Sequence, residues 1–186
     1  MPSIDQAKIL IMATHGFEQS ELEVPRDKLR EAGATVHVAT PDGNSVKGWD
    51  KDDWGRQADA DLAIDAVTVS DYDALVLPGG QINPDLLRVD ETALGIVKGF
   101  VKDGRIVAAI CHAPWILVEA GVVEGRTMTS YHSISTDVKN AGANWVDEPV
   151  AVSNGIVTSR NPGDLDAFVA KIIEEVEEGR HERPAA

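Results

Sequence analysis

A chain of 186 residues, 43% hydrophobic and 26% charged, has the length of one domain and enough apolar material for a core without disulfide staples. Its 17 Lys+Arg against 31 Asp+Glu give a formal charge of −14, which argues against nucleic acid as the main partner, since phosphate binding rests on cationic side chains. The lone Cys111 excludes an internal disulfide framework, residues 1–6 lack the order of a signal peptide, and no apolar run approaches the ~18 residues of a membrane span, so a cytoplasmic protein with no membrane role is expected.

Apolar runs alternate with helical patterns along the chain. Lys8–Ala13 (KILIMA) is nearly continuous in apolar residues, as a strand buried on both faces of a parallel sheet would be. Ser20 with Glu23 forms a capping-box pattern for a helix that ends at Gly33, with Pro25 predicting a kink or a late start. Thr35–Ala39 is a second strand, closed by the turn Pro41-Asp42-Gly43. Residues 45–70 are charged and carry Trp49 and Trp54. They predict a peripheral hairpin, with only Leu62–Val69 strand-like.

Ala74–Leu77 then enters Pro78-Gly79-Gly80, a strand followed by a glycine turn. A helix over Thr92–Lys102, capped by Asp90, leads to a buried strand at Ile106–Ile110 that runs directly into Cys111. Pro114–Ala120 is apolar all round, as a buried helix should be. Beyond it the pattern gives a short strand at Thr127–Ser130, a helix near Ser135–Ala141, and strands at Val150–Val152 and Ile156–Thr158. The final helix is expected over Asp164–Val176, the strip Glu174–Glu178 as a solvated helix face, and residues 177–186 as a polar, fraying tail. The β-α-β alternation predicts an α/β doubly wound sandwich, one domain over 1–186 with its core in 8–176.

In such sheets the ligand crevice lies beyond the carboxyl ends of the strands. The segments leaving strands there collect His15, Glu18, Asp85, Cys111 and His112. Cys111 at a strand-to-helix junction would face a helix N-terminus, whose partial positive charge favours a thiolate at neutral pH, with backbone N–H groups nearby for an oxyanion. The plainer alternative is a buried cysteine acting as a small hydrophobe. His112 is a candidate base only if the turn is irregular or a carboxylate from elsewhere pulls the ring into place, because neighbours on a helix do not face each other. Its alternative is a supporting or interface histidine. Glu18 is either a helix-start charge or a carboxyl that donates a proton beside the sulfur, and His15 either holds substrate or is a solvated loop residue. No nucleotide-binding glycine motif and no close-spaced metal pattern around Cys111 is present, so neither cofactor nor metal is expected.

The stretch Gly16-Phe17-Glu18-Gln19-Ser20-Glu21-Leu22 with Pro25 resembles the first motif of the ThiJ/PfpI superfamily. Asp73–Gly80 (DALVLPGG), Ala109–Pro114 (AICHAP) and Ser159–Leu165 (SRNPGDL) resemble the later ones, and the PfpI-like branch of intracellular peptidase-like and general stress proteins is the most similar. The resemblance implies a flavodoxin-like sandwich that forms homodimers or higher homo-oligomers. It implies Cys111 as nucleophile, His112 as its partner, Glu18 as the carboxyl beside the sulfur, and Gly79, Gly80 and Ala113 around them. Asp85 stands where related peptidases supply an acid from a neighbouring subunit, with Pro84-Asp85 in place of the usual Pro-Glu. Ala109 and Ala113 replace the glycines of the amidotransferase elbow, so amidotransfer is rejected. The expected function is a stress-response, cysteine-dependent hydrolase or lyase acting on small carbonyl electrophiles or carbonyl-modified protein (glyoxalase- or deglycase-like). The alternatives are a redox-responsive protein without turnover, whose Cys111 oxidises to sulfinic acid, and an intracellular cysteine peptidase.

Overall fold

The computed structural model describes residues 3–182. In chain order it holds β1 (Lys8–Met12), α1 (Gln19–Glu31), β2 (Thr35–Thr40), β3 (Val46–Asp50), β4 (Asp53–Ala58), β5 (Leu62–Ala63), β6 (Ala74–Leu77), α2 (Ile82–Leu87), α3 (Glu91–Lys102), β7 (Ile106–Ile110), α4 (Pro114–Glu119), β8 (Thr127–Met128), α5 (Ser135–Asn140), β9 (Asn144–Trp145), β10 (Val150–Ser153), β11 (Ile156–Ser159) and α6 (Leu165–Glu178).

Seven strands form one sheet in the order β10-β11-β7-β6-β1-β2-β5. Every pairing in it is parallel except β10 with β11. Alternation along the strands sorts the core into two halves. Leu10, Met12, Leu75, Leu77, Val107 and Ala109 face one side, where they meet α3 and α4 through Val97, Phe100, Ile116 and Leu117. Ile9, Ile11, Val76, Ala108 and Ile110 face the other, against Leu22 and Leu29 of α1 and Phe168 and Ile172 of α6. Burial on both faces is why these strands are uninterrupted apolar runs. Fully removing a Leu, Ile or Phe side chain from water contributes about 1.5–3 kcal/mol each, and all of these are at most 1% exposed. The expected α/β sandwich is therefore the architecture found.

Several local expectations change. Helix α1 starts at Gln19 with Glu18 at its N-cap, so Ser20 lies inside the helix and the capping box does not form. Glu23 instead pairs with Arg56 of the β3–β4 hairpin. The helix runs through Pro25, which removes one backbone donor without ending it. The expected strand over Leu62–Val69 shrinks to Leu62–Ala63, because the chain turns into short 3-10 segments at Ile64–Ala66 and Val69–Asp71. A short helix, α2, follows the Gly79-Gly80 turn where none was expected. The tail is anchored, not frayed, as far as it is described: α6 continues to Glu178, the His181 N–H donates to the Gly104 carbonyl (2.8 Å), and Asn154 Nδ2 donates to the Glu182 carbonyl (3.2 Å). The remainder of the predicted tail, 183–186, lies outside the described residues. Among the described residues no helix is long and apolar enough to cross a membrane.

Candidate active site

Strands β1, β6 and β7 lie side by side, and the chain leaves them in the segments 13–18, 78–81 and 111–113. After β1 the chain winds toward β2; after β6 it winds toward β7, on the opposite side of the sheet. Loops diverge at such a point and leave a crevice outside the carboxyl ends of the strands. A cleft of about 540 Å³ opens there, lined among others by Glu18, Glu21, Trp49, Cys111, His112 and Tyr131.

Cys111 is the first residue after β7, and its backbone sits in the left-handed region with φ +64°. A side-chain-bearing residue is held there only when its surroundings over-determine it. They do: the Cys111 N–H donates to the Ser159 carbonyl (3.0 Å), its carbonyl accepts from the Tyr131 N–H (2.8 Å), and the residue is 6% exposed. The kink also answers how adjacent residues meet. Because residues 111 and 112 are not on a regular helix, Sγ lies 3.1 Å from His112 Nδ1. The far ring nitrogen, Nε2, is 3.2 Å from Ser133 Oγ, and the ring stacks on Tyr131 with centroids 4.7 Å apart and 25° between planes. Burial, with His132 as a smaller contributor, lowers the His112 pKa to about 4, so the ring is neutral at physiological pH and can accept a proton. The partners fit a tautomer with Nδ1 toward the sulfur as acceptor and the N–H on the Ser133 side.

The carboxyl beside the sulfur is Glu21, three residues along from the expected Glu18. Glu21 is 0% exposed, accepts the Gly79 N–H at Oε2 (2.8 Å) and interacts directly with the Cys111 side chain. Its other oxygen, Oε1, is buried without a hydrogen-bond partner. Burial raises the Glu21 pKa to about 8, against the lowering effect of the Gly79 N–H, so the group is largely protonated at neutral pH. Glu18, at the N-cap of α1, lies at the cleft wall, and its Oε1 accepts from the Ser20 hydroxyl (3.3 Å). Its pKa is also raised, first by burial.

The expected thiolate, stabilised by a helix dipole at neutral pH, is corrected. Burial and then the Glu21 carboxylate push the Cys111 thiol up, outweighing the lowering effect of the Gly80 and His112 N–H groups. Helix α4 is six residues long and begins only at Pro114, with Ala113 as its buried N-cap, so little dipole acts on the sulfur. Thiol and carboxyl form one coupled site in which a neutral Glu21 removes the negative charge that disfavours a thiolate.

Gly79 leaves the space for this arrangement. A Cβ at that position would stand 2.5 Å from Glu21 Oε2 and 2.7 Å from Cys111 Cβ. Gly80 contributes its N–H to the sulfur's surroundings and packs against Gly16 and Phe17 of the loop after β1. Asn83, which sequence reasoning passed over, ties the two loops together: it is 0% exposed, its Oδ1 accepts the Thr14 N–H (2.7 Å) and its Nδ2 donates to the Pro78 carbonyl (2.8 Å). Gly79 and the fully buried Ala113 lie behind the cleft wall, and His15 and Asp85 stay outside the cleft of their own chain. His15 is exposed and accepts the Lys47 N–H at Nδ1 (3.0 Å), pinning the hairpin to the β1 loop. Asp85 is exposed on α2.

Known proteins share this arrangement over most of the chain. The DJ-1/PfpI family model matches residues 7–175. Deglycase TK1284 of Thermococcus kodakarensis is 43% identical over 166 residues, spanning 89% of this chain and 97% of its own. General stress protein 18 of Bacillus subtilis is 41% identical over 167 residues, spanning 87% and 92%. Among solved structures, Drosophila melanogaster DJ-1beta superimposes with a TM-score of 0.83 at 31% identity, over 93% of this chain and 95% of that one. The family match runs through every strand of the large sheet and through most of α6: the chain belongs to the DJ-1/PfpI family.

Proposed function

We propose that this protein is a cysteine-dependent enzyme of the stress response, acting on small carbonyl electrophiles or on their adducts with proteins, in the manner of a glyoxalase or deglycase. One observation carries the reading: Cys111 Sγ stands 3.1 Å from a neutral imidazole nitrogen, in a cleft whose wall holds a buried carboxylic acid. Attack on an aldehyde carbon forms a C–S bond. The thiol proton passes to His112 Nδ1, the carbonyl electron pair moves onto oxygen, and Glu21 supplies that oxygen with a proton, leaving a hemithioacetal. The imidazolium and the carboxylate created in this step balance one another, so a buried site acquires no net charge. General acid–base assistance of this kind contributes ~10²–10⁴-fold. The names of two relatives, a deglycase and a general stress protein, support the same reading.

The test is methylglyoxal consumption by the full chain and by Cys111→Ser. The substitution should abolish it; a serine variant that keeps the wild-type rate refutes the proposal. A second reading has its own observation, since a protonated Glu21 would hydrogen-bond a sulfinate at Cys111. Intact mass after mild peroxide separates the two: two oxygens confined to Cys111, without dicarbonyl turnover, would favour a sensor. We further propose a cytoplasmic homodimer or higher homo-oligomer, in which Asp85 approaches a neighbour's cleft. Support comes from Ile82, Leu86 and Val89, apolar and 39%, 48% and 74% exposed around Asp85 on and after α2. Light scattering that finds a monomer at micromolar concentration removes this part.

A further inference from the structure

At the end of β7 remote from Cys111, where Gly104 precedes the strand, the last turn of α6 and the tail bring Glu175, Glu178 and His181 together. One donor atom from each lies within 4.8 Å of the others. Sequence spacing alone suggested a solvated face, yet Glu175 is 5% exposed. Glu175 Oε2 and His181 Nε2 are both buried and lack a hydrogen-bond partner, although they stand 3.0 Å apart. A histidine–carboxylate ion pair would aim the ring N–H at the oxygen; this contact does not have that geometry. Two ligands of one metal ion do approach in this way: donors ~2.0–2.1 Å from a tetrahedral centre are roughly 3.3 Å apart.

The tail is positioned independently of any ion. Its His181 N–H donates to the Gly104 carbonyl (2.8 Å), and the His181 carbonyl packs so closely on Gly104 that a Cβ there would collide with it. Gly179, with φ +94°, turns the chain back so that the ring returns over α6. The nearby Lys171 is engaged by Glu174 at 2.7 Å. A helix C-terminus and a chain of formal charge −14 both attract cations.

We propose that Glu175, Glu178 and His181 form a binding site for a divalent first-row transition metal ion, of which Zn²⁺ is the type, that staples the C-terminal tail to α6. One imidazole and two carboxylates neutralise the ion and suit this class of metal, with water completing the shell.

The tag-free full chain, stripped with chelator, is dialysed against Zn²⁺ alone, both as wild type and as Cys111→Ser, which removes the thiol as a competing ligand. Cys111→Ser should bind one equivalent, and at a hundredfold excess over Kd its Tm should rise by on the order of 5–10 °C. His181→Ala should bind at least roughly tenfold more weakly. Glu178→Gln leaves the Glu175–His181 contact in place, so it should keep the Tm measured in chelator and lose most of the response to Zn²⁺. Cys111→Ser that takes up no Zn²⁺ overturns the proposal. So does Glu178→Gln with an undiminished response, which would leave Glu175 and His181 as a structural pair only.

Discussion

Replacing Glu21 by glutamine separates its two consequences, because the amide keeps the shape and the acceptor for the Gly79 N–H but cannot ionise. In the native protein burial moves this carboxyl from 4.5 to about 8. At ~1.4 kcal/mol for each tenfold change in proton affinity, that displacement is equivalent to about 5 kcal/mol as an upper bound. Relaxation and water entry on ionisation leave on the order of 2–3 kcal/mol. The sign follows from the raised folded value: the stabilising contribution is complete below the unfolded pKa near 4.5 and is lost as pH rises through about 8. Wild type should therefore weaken across this window, whereas Glu21→Gln should not. Denaturant unfolding of both proteins at pH 5, 7 and 8.5 reads the difference directly, and the variant should gain ~2–3 kcal/mol on wild type between the extremes. Dicarbonyl turnover should fall ~10²-fold or more in the same variant, as expected for loss of an acid–base group. A stability difference that does not change with pH would refute the reasoning, for it would mean that Glu21 titrates like a solvated carboxyl.

Gly79→Ala places a methyl 2.5 Å from Glu21 Oε2 and 2.7 Å from Cys111 Cβ. It should destabilise by ~1–3 kcal/mol in thermal or chemical unfolding and depress turnover more than Gly95→Ala, where an added Cβ meets nothing within 4 Å. Asn83→Ala leaves the buried Thr14 N–H and Pro78 carbonyl unpaired and should cost about 1–3 kcal/mol for each orphaned group, read in the same unfolding experiments. Because burial keeps His112 deprotonated down to about pH 4, the acid limb of kcat/KM should fall near that value; a limb at the ordinary histidine value would show the ring to be solvated.

How much of this was legible in the sequence depended on which rule a residue obeyed. Ile106–Ile110 and Lys8–Met12 announced themselves because strands covered on both faces must be continuously apolar, and Cys111 could be placed because it ended one of them. Glu21 escaped because a glutamate in a helix is ordinarily solvated, and Glu18, next to the strand end, drew the assignment instead. The signal was present: Glu21, Pro25 and Leu29 recur at i, i+4 and i+8 and are all buried, so the carboxyl sits on the apolar stripe of α1. Glu175 repeats the lesson on α6, beside Phe168, Ile172 and Val176. A charged residue in register with a helix's buried face is a stronger indication of chemistry than one beside a turn. The Cys111–His112 contact was conditional on an irregular turn, and a positive φ at a non-glycine residue is set by tertiary contacts that no local rule supplies.

The margins of the large sheet decide how copies of this molecule can meet. One margin is β5, only two residues long. The other, β10, runs opposite to its neighbour and is preceded by Pro149, which has no amide hydrogen to offer a newcomer. Neither rim is a template on which a foreign strand could extend the ladder, so runaway fibrillar growth from the folded state is blocked at both ends. Any self-association then has to use side-chain faces, not strand addition at the rims.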